Sequence, residues 1–203
     1  MVAGRTVPGS LDGQEERNLS HIAHLDENIE LLSAVKPSVI VMAHTATSYT
    51  QGKAAEERLT QRVEAETGIR FTTAFASVVA ALRHPGVKRV AVGTPYSEST
   101  TLQCRLSLEA HGFEVVSCAK LQGVKNIHDE TAERAYQLAR QVDTRDAQAV
   151  FLSGVGMPTI DTLQTLEQDI GKPAISSTSA LMWNALRMAG VSTSISGYGR
   201  LLS

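Results

Sequence analysis

Gly68-Ile69-Arg70-Phe71-Thr72-Thr73-Ala74-Phe75-Ala76 runs on to Ala81-Leu82-Arg83 and Gly86-Val87. A second stretch, Gly171-Lys172-Pro173-Ala174-Ile175-Ser176-Ser177-Thr178-Ser179-Ala180, runs on to Ala185-Leu186-Arg187 and Gly190-Val191. The first glycines stand 103 apart (171 − 68) and the Ala-Leu-Arg triplets 104 apart (185 − 81), a repeat with one inserted residue. Upstream, Val41-Met42-Ala43-His44-Thr45 has its counterpart in Phe151-Leu152-Ser153-Gly154-Val155. The pattern reads as an internal duplication of an α/β unit; a chance likeness between two such units is the competing reading.

Working outward, short β-branched runs alternate with amphipathic ones. Strands are expected at 38–43, 69–74, 88–93, 113–118, 148–153 and 173–177, compact and apolar as strands buried on both faces are. Helical patterns fall at 14–35, 53–67, 77–83, 97–111, 129–142, 159–169 and 180–189. Ile22, Leu25, Ile29 and Leu32 in the first lie three and four apart, on one stripe. Strand–helix alternation implies parallel sheet with helices packed on it. The expected fold is therefore α/β, two pseudo-symmetric lobes that are each a mostly parallel sheet flanked by helices. The first lobe takes residues 1–93 and 191–203, the second 94–190. Ligands in such sheets bind beyond the carboxyl ends of the strands, which turns the His44 loop and the Gly154 loop toward one cleft.

Composition narrows the function. In 203 residues, 42% are hydrophobic and 20% charged, enough for a buried core. Nineteen Lys and Arg against twenty-one Asp and Glu lack the basic surplus of a nucleic-acid binder. Two cysteines, Cys104 and Cys118, make no disulfide framework and no zinc spacing, and both read as buried structural thiols. No apolar run approaches the roughly 20 residues that span a bilayer, and the opening residues carry no signal-peptide core. The expectation is a cytoplasmic protein without membrane or nucleic-acid partners, compatible with a homo-oligomer.

Ser153-Gly154-Val155-Gly156-Met157-Pro158-Thr159 follows an expected strand and is expected to open a helix, the setting of a dinucleotide loop. Thr159 stands where that fingerprint needs a third Gly or Ala, and no acidic residue follows Asp169 to take a ribose hydroxyl. From Gly171 onward the only charged side chains are Lys172, Arg187 and Arg200. With Ser176, Ser177, Thr178 and Ser179 at a helix start, that tail suits a small carboxylate or phosphate, or else is a solvated polar end. His44, straight after a buried strand and followed by hydroxyls, is placed for acid–base work, since an imidazole pKa of about 6.5 brackets neutrality. A hydrogen-bonded histidine capping the next helix is the plainer reading. Tyr96, in the turn Thr94-Pro95-Tyr96-Ser97, lends a hydroxyl to the cleft or belongs to the core. His21 and His24, three apart, read as a solvated helix face rather than a metal site, and Met182 and Trp183 as packing.

These residues resemble the aspartate/glutamate racemase superfamily, in its arylmalonate decarboxylase and maleate cis–trans isomerase branch. The similarity runs from about Ser38 to the C-terminus. It is strongest at 42–52 (MAHTATSYTQG), 89–96 (RVAVGTPY), 152–161 (LSGVGMPTID), 176–190 and 197–201 (GYGRL). The resemblance implies a duplicated two-lobe fold and a cofactor-independent, metal-free reaction on a small carboxylate through an enediolate. A decarboxylase is expected first; a maleate cis–trans isomerase or an aspartate, glutamate or hydantoin racemase-type isomerase is the alternative, and a non-catalytic carboxylate-binding relative another. In such enzymes one or two loop cysteines move protons or attack the substrate; here those positions are His44 and Gly154. His44 is accordingly the expected catalytic residue. Thr45, Tyr96, Gly154 and Val155 correspond to a hole of hydroxyls and backbone amides that holds a carboxylate, with Ala46 replacing a serine of that hole. The family's opening strand and proline-containing loop have no counterpart here, so an N-terminal strand of the first lobe is expected to be missing.

Overall fold

The computed structural model describes residues 14–203. The expectation that the first lobe lacks its opening strand falls on residues outside that range. Helices α1 (Gln14–Ala23) and α2 (Leu25–Ser33) lead into strand β1 (Val39–Met42), helix α3 (Thr45–Gln51) and helix α4 (Lys53–Thr67). Strand β2 (Arg70–Thr73) and helix α5 (Ala74–Arg83) complete the first unit. Then come β3 (Arg89–Thr94), α6 (Glu98–Ala110), β4 (Glu114–Lys120), α7 (Ala132–Val142), β5 (Ala149–Leu152), α8 (Leu163–Ile170), β6 (Ala174–Ser176) and α9 (Ser177–Met188).

All the pairings are parallel. β1 and β2 form one sheet, with Ile40 opposite Phe71; β4-β3-β5-β6 form the other, with Val92 opposite Phe151 and Phe151 opposite Ile175. The fold is α/β with two parallel sheets, and each of the six expected strands is present. The expected lobe boundary at 93 cuts through β3, which lies inside the second sheet.

Period-two alternation splits each strand between two cores. Val90 and Val92 of β3, with Phe151 of β5 and Ile175 of β6, face a central core holding Phe75, Val78, Leu82, Cys104, Leu108 and Trp183. Ala91, Val150 and Leu152 face the other way, onto Leu138 and Val142 of α7 and Leu163 and Leu166 of α8. In the first sheet Ile40, Met42 and Phe71 pack on Ile29 of α2 and Leu59 and Val63 of α4. Helices α5 and α9 pack on each other between the sheets.

The duplication reaches individual hydrogen bonds. Gly68 and Gly171 both end a helix in the left-handed conformation, at φ 68° and 71°. Glu64 accepts from the Phe71 amide and Glu167 from the Ala174 amide, each seven residues on. Thr73 and Ser176 cap α5 and α9 by accepting from the amides of Ala76 and Ser179. Past those helices, Val87 donates to the Leu82 carbonyl and Val191 to that of Leu186. A chance likeness does not extend to matched caps and matched carboxylates.

Four expectations change. The pattern at 14–35 is two helices, since His24 leaves helical geometry at φ −103° and ψ 8°. The segment after His44 is helical, although Thr45-Ala46-Thr47-Ser48-Tyr49 is rich in residues that compete with helical backbone bonds. All five are buried, so tertiary packing overrides propensity. Cys118 is exposed because β4 is an edge strand. Met182 is exposed as well, whereas Trp183 is buried beneath a stacked Arg187. Among the described residues no helix is long and apolar enough to cross a membrane, and no group of three or more His, Cys, Asp or Glu is placed to hold a metal ion.

Candidate active site

Three segments that leave the carboxyl ends of parallel strands meet: His44–Tyr49 after β1, Pro95–Tyr96 after β3 and Ser153–Gly156 after β5. Their junction is a buried cluster of hydroxyls and one thiol. Tyr49 shares a hydrogen bond with Ser153, OH to Oγ 2.9 Å, across 104 residues of sequence. The Tyr96 hydroxyl lies within reach of Ser153 and Thr45, and its ring meets Tyr49 edge-on at 6.4 Å. Cys104, from the middle of α6, reaches Tyr49 and Ser153 from behind. Burial pushes the Cys104 thiol up to about 12 and raises both tyrosines well above their ordinary range, so all three hold their protons at neutral pH.

One donor here is unspent. Thr45 Oγ1 is buried and makes no hydrogen bond of regular geometry. An orphaned buried hydroxyl costs on the order of 1–3 kcal/mol, which a ligand oxygen would recover.

The second loop is braced from α9. The Gly154 amide donates to Ser177 Oγ at 3.1 Å, and Thr178 Oγ1 donates to the Val155 carbonyl at 2.9 Å. Of the hydroxyls read from sequence as anion donors, Ser177 and Thr178 are thus engaged in fixing this loop, and Ser176 and Ser179 bond each other in the capping box of α9. The Gly154 amide differs from its expected role in the same way, since a carboxylate would have to displace Ser177 to use it. Gly154 sits at φ +101°, where a side chain is strained, and a Cβ there would stand 2.8 Å from Ile127 Cδ1 and 3.0 Å from Pro95 Cγ. The loop leads into a short 3₁₀ turn at Ile160–Thr162 before α8, so no helix opens at the glycines and the dinucleotide geometry is absent.

Thr45 and Tyr96 therefore meet at Ser153, Pro95 stands beside Gly154, and Val155 follows on the same loop, held by Thr178. His44 is placed differently. It occupies the N-cap of α3, its Nδ1 is 2.7 Å from Thr47 Oγ1, and its ring lies 4.6 Å from that of His21 on α1. Burial, with help from the positive charge of His21 and Arg17, lowers its pKa to about 4. At neutral pH the ring is uncharged, not poised near 6.5 as expected from sequence.

Sequence reading missed Tyr49, Ser153, Cys104 and the turn at Ile127–Asp129 that covers the second loop. Ser153 was visible as the strand's last residue. The turn offered no signal, because it lies in the connection before α7.

Comparison with known proteins decides the family. The arylmalonate decarboxylase family profile matches residues 18–202. The chain belongs to the arylmalonate decarboxylase family. Arylmalonate decarboxylase from Bordetella bronchiseptica is 28% identical over 204 residues, covering 98% of this chain and 82% of that protein. A maleate isomerase from Alcaligenes faecalis is 26% identical over 181 residues, covering 85% and 71%. The crystal structure of a mutant arylmalonate decarboxylase in its liganded form superposes with a TM-score of 0.88 at 27% identity, covering 93% of this chain and 82% of that one. Within the arylmalonate decarboxylase family, then, this member carries glycine and histidine on its two paired loops.

Proposed function

We propose that the protein is a cofactor-independent decarboxylase of a small malonate-type carboxylate, working through an enediolate. The observation that carries this reading is the meeting of Thr45, Tyr96 and the Ser153–Val155 loop from both sheets, in a chain of the arylmalonate decarboxylase family. The unspent Thr45 hydroxyl and the Tyr96 phenol would donate to the carboxylate that remains, and Val155 would line the same hole. Loss of carbon dioxide leaves negative charge on those oxygens. Donors fixed in a site shielded from water stabilise such charge without having to reorganise. The phenol and thiol, held neutral by burial, add no competing negative charge. No step of this reaction needs a metal or an organic cofactor.

Incubation with phenylmalonate, following carbon dioxide release and phenylacetate formation, tests the reading. Turnover that falls in Tyr96→Phe is expected. Thermal stabilisation by malonate or phenylacetate without any turnover would make the protein a carboxylate binder, and conversion of maleate to fumarate would make it an isomerase.

A further inference from the structure

The family's thiol position on the second loop is empty of chemistry here, and the space around it is filled. Asn126 caps the 3₁₀ turn Ile127–Asp129, its side chain accepting from the His128 amide. Ile127 is partly buried in the apolar cluster of α7 and β5, which anchors the turn. From there Ile127 lies over Gly154 and His128 over Gly156. A Cβ on Gly156 would stand 2.7 Å from His128 Cε1 and 3.0 Å from its Nδ1, closer than side chains approach. Both glycines of Ser153-Gly154-Val155-Gly156 thus admit this turn, which gives the motif a purpose unrelated to nucleotides.

We propose that His128 is a residue of the ligand site and the proton carrier of the reaction, taking the part that a loop thiol or His44 would otherwise have. This rests on the decarboxylase reading above. The other candidates are withdrawn from the loop. His44 turns its ring onto His21 and is uncharged, while Cys104 is fully buried behind Ser153. His128 is exposed and touches the loop itself, and imidazole is the side chain that both gives and takes protons near neutrality. Decarboxylation breaks the bond between the α-carbon and the departing carboxylate and leaves its electron pair in the enediolate. The N–H of protonated His128 gives its proton to the α-carbon, where that pair forms the new C–H bond. The neutral imidazole then takes a proton back from water.

The test pairs kinetics with a binding readout. With phenylmalonate, His128→Ala is expected to lower kcat about 100-fold or more while KM stays within about threefold, and added imidazole is expected to restore part of the rate. In the wild type, the Cε1–H proton resonance of His128, assigned by its loss in the variant, is expected to shift on titration with phenylacetate. An active wild type whose His128→Ala variant keeps its kcat overturns the proposal and leaves the decarboxylase reading standing. A wild type inert toward phenylmalonate removes that reading; a His128 resonance that still shifts then sustains its place in the ligand site, and one that does not move overturns it.

Discussion

At neutral pH the His44 ring is uncharged in the fold, because burial and the neighbouring His21 and Arg17 oppose its protonation. In the unfolded chain the same ring takes up a proton near pH 6.5. Between those values the unfolded state binds more protons, so stability falls as pH drops from about 6.5 and stops falling from this cause near pH 4. The expected loss is on the order of 2 kcal/mol, below the full linkage value because the ring is partly exposed. Urea unfolding at pH 7 and pH 4.5 measures it, and His44→Asn should remove most of the difference; an equal acid loss in the variant would move the effect elsewhere. A second residue-scale expectation concerns Tyr49. Its hydroxyl meets Ser153 inside the protein, so Tyr49→Phe leaves a buried oxygen short of a partner. A loss of about 1 kcal/mol is expected, read as a lower urea midpoint at unchanged slope. The same change should weaken thermal stabilisation by phenylacetate, since Ser153 stands behind Tyr96. A variant as stable as wild type with the same ligand response would leave the Tyr49–Ser153 bond without consequence.

Elements show why some of this was legible and some was not. All six strands were readable, because short apolar runs bounded by glycine and polar residues have few other uses. Helix α3 was not, since TATSYTQ owes its helicity to burial, which no local pattern announces. The approach of Thr45 and Tyr96 to the Ser153 loop was legible because each of these segments follows a strand end, and strand ends in parallel sheets converge. The direction of the His44 ring depends on α1, and the cover over Gly154 and Gly156 depends on a three-residue turn far away in sequence. Those glycines carry an element-scale expectation. Gly154→Ala meets both a positive φ and Ile127, and should cost about 1–3 kcal/mol. Gly156→Ala meets no positive φ, only the exposed His128 ring and, at 3.2 Å, Ile127 Cγ2, so the turn can yield by a small shift and stability should stay within about 1 kcal/mol of wild type. Its melting-temperature response to phenylacetate should shrink, because the displaced turn no longer covers the loop. An unchanged response would put the ligand away from His128.

At the scale of the whole molecule the duplication supplies two copies of one device and lets them diverge. In each copy a glutamate near the end of a helix accepts the amide of the strand that follows, Glu64 from Phe71 and Glu167 from Ala174. Glu64 is exposed, so water can replace it when it is removed. Glu167 is buried, 4% exposed, and its second oxygen accepts the Arg200 amide at 2.7 Å, with the Arg200 guanidinium 3.8 Å away. That bond ties the C-terminal segment to α8. The segment also lays Ile195, Leu201 and Leu202 on the central core beside Phe75 and Trp183. One copy of the carboxylate therefore fastens a strand, and the other fastens a strand and the chain end together. Replacement by alanine should expose the difference. Glu64→Ala is expected to cost about 1 kcal/mol or less, the net worth of one solvent-accessible hydrogen bond. Glu167→Ala leaves two amides without their acceptor and frees the tail, so about 2–4 kcal/mol is expected, together with faster amide hydrogen exchange at Arg200 and Leu202. Equal costs at the two positions would mean that the C-terminal segment holds to the core by its apolar side chains alone.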